Sequence, residues 1–575
     1  MSPGLAQTLE RSDGLRRASR WQEAKLGYES ALAVAHQDPV IAHNLALCHL
    51  ALGEYRDAVT RSARAMELDD RLWQPAIVQA KALSALGLHE QAIALLGRVT
   101  ARTSAQGQLD VELATLLLQH GGDAAGAAAR ARPWIGSALD RDARIVVLLA
   151  QLYDRDERVT AEAVSTALCS FSQAHLQLPP SVLAHGAREL PVEPNTLAAY
   201  GRSTDTSPEP AANVRRGRRV AARRPRVGLL SPQFTVSPVY FFTFGALHRL
   251  ADEVDLTFFS RGTKSDWGTE AFRGIARDWI DVANASAETL ATTLARHDLD
   301  VAIDLGGWMD PVGLSALSAR PARRQYKWVG GQSATTGLKC FDGFLTDRYQ
   351  TPAGSEALYS EPLLRLKGGY VSYTPPPYLP APAPAPDLET VTLGVIANPA
   401  KVSRGFLDEV RRRLPVWEAR ASSEGRRLRL QFIDQRYQQA SIRRRIETAV
   451  SPSGVTLEFI TPVGHQAYLL AVGRLDAVLD TWPYTGGLTT VEALAMGVPV
   501  YTRAGALFCE RHSAAHGAYA GFKLAEVDLG RFDGLPQPVR EGGRLIAATD
   551  AHSRHDVLAT ELLRHLRAQP HPSRL

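Results

Sequence analysis

Glycine, threonine and glutamate side chains are closely spaced in the segment from Leu479 to Gly497, LDTWPYTGGLTTVEALAMG. The run AVLDT that leads into it predicts a strand, and VEALAMG predicts a helix. Unpaired amides at a helix N-terminus bind phosphate, and glycine lets a ligand approach the backbone closely. We therefore expect Gly486 and Gly487 to line a phosphate site, with Thr489 and Thr490 capping the helix and donating hydroxyls to phosphate oxygens.

A carboxylate follows these residues at Glu492, one turn into the predicted helix. Carboxylates accept hydrogen bonds from ribose hydroxyls, so the segment as a whole predicts a site for the diphosphate and ribose of a nucleotide. The alternative is a capped helix behind a glycine turn with no ligand at all. The segment alone does not decide between the two.

Strands and helices alternate through the whole C-terminal part of the chain. One series of β-rich runs contains RVGLLS, VDLTFFS, LDVAIDLGG and QYKWVGG, and a second contains VTLGVIAN, RLQFID, VTLEFI, AVLDT and VPVYT. This alternation predicts two parallel sheets, each covered by helices, in an N-terminal Rossmann-like lobe (225–373) and a C-terminal one (389–575) that includes a terminal helix. The proline-rich segment 374–388 between them is expected to be a stiff linker.

Two such lobes predict a ligand cleft between the carboxyl ends of their strands. This is the GT-B arrangement of nucleotide-sugar glycosyltransferases, although other proteins with two Rossmann-like domains share it. On this interpretation the N-terminal lobe is the acceptor side and the C-terminal lobe is the donor side.

The first hundred residues repeat with a period of 34. Ala24, Ala58 and Ala92 are spaced by this period, and small residues at fixed helical positions allow two helices to cross closely. The pattern resembles the tetratricopeptide repeat and predicts an α-solenoid over 1–200. The polar, basic stretch 201–224 is expected to be a linker.

Charge and composition restrict the partners. The net charge is +5, and seven arginines lie in VRRGRRVAARRPR at 214–226, which fits a solvated linker better than an anionic partner. Aromatic residues are not interleaved with these arginines and no recognition helix is evident, so nucleic acid is not an expected partner.

Cysteine usage and hydropathy indicate a compartment. Four widely spaced cysteines without CxxC or Cys/His spacing argue against a disulfide framework and a zinc site. The sequence contains no uninterrupted apolar stretch of about 18 residues, so no membrane span is predicted, and no secretory signal is evident. We therefore expect a cytoplasmic protein.

Four segments carry a resemblance to a known family: DTWPYTGGLTTVEALAMGVPVYT, ARPARRQYKWVGGQSATTGLKCFDGFLTDRYQTP, YSEPLLRL and SPQFTVSP. Together they are similar to motifs of the protein O-GlcNAc transferases, a GT-B family that also carries tetratricopeptide repeats. The resemblance covers about 224–525. It implies a nucleotide-sugar co-substrate, no metal or other cofactor, and an acceptor protein bound by the repeats.

The resemblance also implies residue roles. Lys401 falls where the family's lysine meets the donor diphosphate and offsets charge on the leaving nucleotide. His465 falls near a histidine that contacts the base. Thr489 and Thr490 take the phosphate role, and Glu492 replaces an aspartate at the ribose. An exposed lysine and a structural histidine are the alternatives.

Several positions depart from the family pattern. Ser237 and Leu488 stand where the family has histidines, and the loop from Gly331 to Gly337 lacks its tyrosine and proline. We therefore expect a retained diphosphate site with altered surroundings for the sugar and the acceptor. A general base is then unassigned; Asp304, at the end of a predicted strand, is the candidate, and a strand-end cap is the alternative.

The functional hypothesis is an inverting glycosyltransferase that moves N-acetylglucosamine, or a variant of it, to Ser or Thr hydroxyls of an acceptor protein. UDP is the expected nucleotide and CMP an alternative. One alternative function is flagellin glycosylation from a CMP-linked nonulosonic acid donor. Another is an inactive repeat scaffold, although retention of Lys401, both threonines and Glu492 argues against it.

Overall fold

The computed structural model divides the chain into two compact units. Unit 1 comprises Met1–Phe171, Tyr349–Leu358 and Pro375–Ala548, and unit 2 comprises Ser172–Arg348, Tyr359–Thr374 and Thr549–Leu575. The residues that the structure describes are 3–18, 20–102, 106–179, 181–186, 223–381, 389–450, 455–523, 527–529, 534–535 and 548–568. The predicted basic linker therefore lies almost entirely outside the described residues.

Consecutive antiparallel helix pairs build the N-terminal region. Its helices are α1 (Pro3–Arg17), α2 (Trp21–Val34), α3 (Pro39–Ala51), α4 (Tyr55–Leu68), α5 (Gln74–Ala85), α6 (His89–Thr100), α7 (Gln106–Leu116), α8 (Ala124–Ala131), α9 (Asp140–Tyr153) and α10 (Ala161–His175). Ala24, Ala58 and Ala92 are fully buried on α2, α4 and α6. The 34-residue period therefore marks the close helix contacts that it predicted.

The N-terminal lobe, in unit 2, contains a seven-stranded parallel sheet. Its strands are β1 (Arg226–Ser231), β2 (Asp255–Ser260), β3 (Asp278–Asp281), β4 (Val301–Asp304), β5 (Arg324–Lys327), β6 (Gly343–Thr346) and β7 (Leu363–Arg365). The order is β3-β2-β1-β4-β5-β6-β7. The helices are α11 (Ser181–Gly186), α12 (Pro238–Leu250), α13 (Trp267–Ile275), α14 (Ala287–Arg296) and α15 (Pro311–Ser318). The strand order reverses direction at β1, as in Rossmann folds.

The C-terminal lobe, in unit 1, contains a five-stranded parallel sheet. Its strands are β8 (Thr390–Val395), β9 (Arg427–Ile433), β10 (Thr456–Ile460), β11 (Ala477–Leu479) and β12 (Val500–Tyr501), in the order β10-β9-β8-β11-β12. The helices are α16 (Arg404–Ser423), α17 (Ala440–Val450), α18 (His465–Val472), α19 (Leu488–Ala495) and α20 (His512–Tyr519). All five predicted strands of this lobe are present.

The terminal helix, α21 (Ala548–Arg567), packs on the N-terminal lobe, whereas the sequence analysis placed it in the C-terminal one. The Arg324 guanidinium at the start of β5 donates to the Leu566 carbonyl at 2.6 Å. His555 Nδ1 lies 2.6 Å from the Ser372 hydroxyl in the same unit. Chain order suggested the nearer lobe, but the polar partners of this helix belong to the other one.

The linker prediction for 374–388 also needs correction. Leu379 and Tyr378 pack against a buried cluster of the C-terminal lobe that contains Leu469, so the start of this segment is part of that lobe. The remainder, 382–388, lies outside the described residues. Among the helices of the described ranges, none is long and apolar enough to cross a membrane.

Candidate nucleotide-binding site

Lys401 lies beside the glycine segment that follows β11. Its ammonium donates to the Thr485 carbonyl at 2.9 Å, and Thr485 directly precedes Gly486. Both elements belong to unit 1. The structure therefore brings together the lysine and the glycine segment that the sequence analysis assigned to one diphosphate site.

The Lys401 turn is held from both ends. Pro399–Lys401 form one 3₁₀ turn, and the Asn398 side chain accepts from the Ala400 amide at 3.0 Å. On the far side, the Ser403 hydroxyl donates to the Trp482 carbonyl at 2.5 Å, two residues before Tyr484. The Ser403 bond ties the turn to the segment that leads into the two glycines.

Burial weakens the proton affinity of Lys401. Desolvation lowers its pKa to about 8, although the nearby Asp480 carboxylate opposes the shift. The ammonium also lies 4.2 Å from the centroid of the Tyr484 ring, at the distance of a cation–π contact. Lys401 is therefore a half-buried cation whose charge is available for a phosphate near neutral pH. The alternative interpretation of Lys401 as an exposed surface lysine therefore does not apply.

Asp480 fixes the turn behind the glycines. It is 4% exposed; its Oδ1 accepts from the Gly486 amide at 2.8 Å, and its Oδ2 accepts from the Thr502 hydroxyl at 2.7 Å. Burial raises the pKa of this carboxyl, and its hydrogen bonds and Lys401 oppose that effect. Sequence reasoning did not select Asp480, although its place at the end of a strand was the available indication.

The N-terminus of α19 has unpaired amides. Gly487 is the N-cap residue, and no side chain bonds to the helix end. Within the part of the chain that the structure describes, the amides of Gly487, Leu488 and Thr489 have no acceptor. The predicted capping by Thr489 and Thr490 is therefore wrong, because both residues lie inside the helix. The amide donors that the phosphate hypothesis requires are present.

The two threonines differ in their surroundings. The Thr490 hydroxyl is 2.6 Å from that of Ser513, which in turn lies 3.0 Å from the Gly486 carbonyl. Thr490 is only 2% exposed, whereas Thr489 is half-buried. A Cβ on Gly486 would lie 2.9 Å from the Thr489 hydroxyl and 2.5 Å from that of Thr490. Both hydroxyls thus surround Gly486, and Thr489 is the better placed to meet a ligand.

His465 and Glu492 form a pair. His465 Nε2 lies 2.7 Å from Glu492 Oε1, and His465 Nδ1 lies 3.0 Å from the Tyr378 hydroxyl. Glu492 is 2% exposed, and burial raises its pKa against the opposing effect of His465. The two residues predicted to meet base and ribose are therefore neighbours. Tyr378 was missed, although it is the only aromatic residue in the proline-rich segment.

Asp304 occupies a closed environment in the N-terminal lobe. It is 0% exposed, lies 3.1 Å from the ammonium of Lys327, and accepts from the amides of Gly306 and Gly307 at 3.0 and 2.8 Å. A general base needs a free lone pair within reach of a substrate. The structure instead favours the alternative, a strand-end cap, and corrects the assignment as a catalytic base.

The buried Lys327 at the end of β5 holds the start of the loop that follows this strand. Its ammonium donates to the carbonyls of Trp328 and Gly330 at 3.3 and 2.7 Å, and burial lowers its pKa. Farther along the loop, Glu361 accepts from the hydroxyl of Thr335 and the amide of Thr336, both at 2.7 Å. Sequence reasoning found this loop but neither of the two charged residues that hold it.

The residues that replace the family's histidines have local structural positions. Ser237 is the N-cap of α12, and its hydroxyl accepts from the Val239 amide. Leu488 is the first residue of α19. Over the ranges that the structure describes, no group of three or more His, Cys, Asp and Glu side chains is placed to hold a metal ion.

Comparison with known proteins gives several relatives of one kind. The probable UDP-N-acetylglucosamine–peptide N-acetylglucosaminyltransferase SPINDLY of Solanum lycopersicum is 29% identical over 293 residues, which are 49% of this chain and 30% of that protein. SPINDLY of Arabidopsis thaliana is 29% identical over 292 residues, 49% of this chain and 31% of that protein. The chain thus spans less than a third of these relatives. No protein-family model matches it.

A solved structure shares the fold. A mutant O-GlcNAc transferase of Thermobaculum terrenum superimposes with a TM-score of 0.58 at 22% identity, covering 99% of this chain and 95% of that one. The predicted combination of a helical repeat region with two Rossmann-like lobes is therefore confirmed. So is the predicted resemblance to O-GlcNAc transferase-like proteins.

Proposed function

We propose that this relative of the protein O-GlcNAc transferases is a glycosyltransferase that moves a sugar from a nucleotide-sugar donor to an acceptor protein. One observation carries the proposal. The ammonium of Lys401 lies 2.9 Å from the Thr485 carbonyl, immediately before two glycines and an uncapped helix start. A cation and unpaired amides together make an anion site.

The chemistry of this site suits departure of a nucleoside diphosphate. The donor's glycosidic C–O bond breaks, and negative charge develops on the departing phosphate oxygen. Lys401, the amides at the start of α19 and the Thr489 hydroxyl would stabilise that charge, which is the largest electrostatic contribution in a transfer without a metal. The oxygen of an acceptor hydroxyl would form the new C–O bond from the opposite face of the sugar, so the reaction would invert its configuration. The hydroxyl proton would leave to the departing phosphate or to water, since no side chain is assigned as the base.

The nucleoside half of the donor is assigned to the His465–Glu492 pair. Glu492 would accept a ribose hydroxyl, and His465 would contact the base. Their mutual bond at 2.7 Å orients both side chains before a ligand arrives, which lowers the entropic cost of binding.

The sugar is proposed to be N-acetylglucosamine carried by UDP, which the names of the curated relatives support. Ser237 and Leu488 replace histidines of the family, and this change is compatible with a second class of donor. A CMP-linked nonulosonic acid with flagellin as the acceptor is that alternative. The repeat region is proposed to hold the acceptor protein while the sugar is transferred to its Ser or Thr hydroxyls, and the cytoplasm remains the predicted compartment.

Titration calorimetry with UDP and CMP tests the donor assignment. Wild type should bind one nucleotide, and Lys401→Ala should abolish binding or weaken it at least tenfold. Lys339→Ala is the matched control, because Lys339 is an exposed lysine of the other unit. Absence of binding by both nucleotides would favour the inactive scaffold.

Intact-mass analysis tests the transfer itself. The protein is incubated with each nucleotide sugar and with candidate acceptors, and the mass increment identifies the transferred sugar. An increment of N-acetylhexosamine on the acceptor supports the first proposal. An increment of a nonulosonic acid on flagellin supports the alternative, and site mapping decides whether Ser or Thr is modified.

A further inference from the structure

Helix α9 of the repeat region contacts the candidate donor site directly. Tyr153, at the end of α9, stacks on Tyr484 with ring centroids 4.9 Å apart and an interplanar angle of 17°. A second neighbour of the Tyr484 ring is the Lys401 ammonium, 4.2 Å from the ring centroid. All three residues belong to unit 1. Tyr153 of the repeat region is thus separated from Lys401 only by the ring of Tyr484.

Two further contacts reach the same turn from the repeat region. The Asp154 carboxylate, next to Tyr153, accepts from the Arg404 guanidinium at 3.0 Å, three residues after Lys401. Gly122 packs against Pro399 so closely that a Cβ there would lie 2.9 Å from the Pro399 Cβ. The Lys401 turn is therefore supported by the repeat region both before and after the lysine.

From this packing we infer that Tyr153 is a positioning residue of the donor site, acting on Lys401 through the Tyr484 ring. The repeat region then does more than present an acceptor, because it completes the wall that holds the diphosphate-binding cation. The consequence for transfer rests on the proposed function, whereas the packing of the three side chains does not.

The Lys401 amine is a suitable reporter because its neighbours are identified. Among the described residues other than the two tyrosines, the titratable and charged groups that act on the amine include Asp480, Cys509, Arg436 and His512. Desolvation is the main cause of its lowered pKa. Removing the Tyr153 ring would admit water behind Tyr484 and relax the amine toward the ordinary lysine pKa of about 10.4.

Pulse acetylation of the intact chain from about pH 6 to about pH 11, read by peptide mass spectrometry, gives the titration midpoint of Lys401 without any nucleotide. Tyr153→Ala should move the midpoint upward, and Tyr153→Phe, which keeps the ring, should restore the wild-type value. Trp134→Ala is the matched control, because Trp134 packs against the same repeat cluster as Tyr153. A midpoint that is unchanged in Tyr153→Ala, or equally shifted in Trp134→Ala, overturns the inference.

A second pair of variants tests the contact at Pro399. Gly122 and Gly136 both have a left-handed backbone, with φ of 62° and 84°, but nothing lies within 4 Å of a Cβ on Gly136. Gly122→Ala should displace the Lys401 turn and shift the midpoint, whereas Gly136→Ala should only lower the melting temperature. Equal midpoints in the two variants would count against the inference.

Calorimetry with UDP and CMP on the same variants separates the two proposals. If wild type binds no nucleotide while its Lys401 midpoint responds to Tyr153→Ala, the proposed function fails and the positioning role stands. If wild type binds either nucleotide and the midpoint does not respond, the reverse holds.

Discussion

The imidazole of His465 is bonded to the carboxylate of Glu492, with 2.7 Å between Nε2 and Oε1. His465 begins α18 and Glu492 lies in the middle of α19, so the pair links the start of one helix to the interior of the other. A nucleoside that binds here would meet a pre-arranged donor and acceptor. The same arrangement places a nearly buried carboxyl where its ionisation opposes folding.

Glu492→Gln is expected to weaken nucleotide binding while making stability less dependent on pH. Burial raises the folded-state pKa of Glu492 above its ordinary value, so the folded protein binds more protons than the unfolded chain in that window. Wild-type stability contributed by this group is complete below the ordinary pKa and declines as the pH rises through the raised one. Urea unfolding at several pH values should show Glu492→Gln gaining on wild type across the window.

Glu409→Gln is the control of opposite sign. Burial alone would raise the pKa of Glu409, but hydrogen bonds from Arg412 and Arg413 outweigh it and lower the pKa. This variant should lose stability relative to wild type as the pH rises through the lowered pKa. Parallel pH profiles for the two variants would contradict the account.

Nucleotide affinity is expected to fall as the pH rises past about 8, the lowered pKa of Lys401. Below that value the amine is charged and attracts phosphate, and above it the attraction is lost. Calorimetry of wild type with UDP should show affinity declining by up to about tenfold per pH unit on the alkaline side. In Lys401→Met this decline should be absent, and Lys339→Met should behave as wild type.

The same shift predicts a gain in stability. Between pH values of about 8 and the ordinary lysine pKa, the unfolded chain binds more protons at Lys401 than the folded protein does. Below that pH window the charged Lys401 therefore destabilises the fold. Lys401→Met should raise the free energy of unfolding at pH 7 by up to about 3 kcal/mol. A loss of stability at pH 7 would show that the bond to Thr485 outweighs desolvation.

Alanine substitutions at the adjacent residues Gly486 and Gly487 are expected to impair the protein for different reasons. A Cβ at Gly486 would collide with the two threonine hydroxyls, whereas nothing lies within 4 Å of a Cβ at Gly487. Gly486→Ala should cost about 1–3 kcal/mol of stability. Gly487→Ala should keep its melting temperature and lose nucleotide affinity, because the methyl group occupies the ligand's approach to the helix start. Unchanged UDP affinity in Gly487→Ala would place the ligand elsewhere.

Asp304→Asn is expected to behave as a folding variant and not as the loss of a base. Removing one charge of a buried pair leaves Lys327 uncompensated, at a cost of about 3–5 kcal/mol. The double variant Asp304→Leu, Lys327→Met should recover much of that stability. Sugar transfer by folded Asp304→Asn at low temperature should retain the wild-type pH profile; a changed acid limb would restore the base assignment.

Much of the architecture follows from sequence periodicity. The 34-residue alanine period requires close helix crossings wherever it occurs, and alternating β-rich and helical runs require sheets with helical crossovers. The glycine and threonine spacing of 486–490 likewise fixes a strand–turn–helix junction. These patterns are local, so they are visible without knowledge of what packs against them.

Long-range partners are not visible in this way. Nothing in the spacing of Asp304 and Lys327 states that they form a pair, and nothing near Tyr378 indicates a bond to His465. The placement of α21 follows the same rule, because chain order alone suggested the lobe that is nearer in sequence. Its actual neighbours are chosen by specific partners such as Arg324, which donates to a carbonyl near its end.

The sequence by itself determined which elements form and which residue types surround the predicted phosphate site, because helical and strand periodicity and backbone freedom are properties of short segments. Only the tertiary structure decided that Thr490 is committed to Ser513, that Asp304 is a closed ion pair and that Tyr153 supports Lys401 through Tyr484. Each of these depends on contacts between segments far apart in the chain, and burial sets the energies of such contacts.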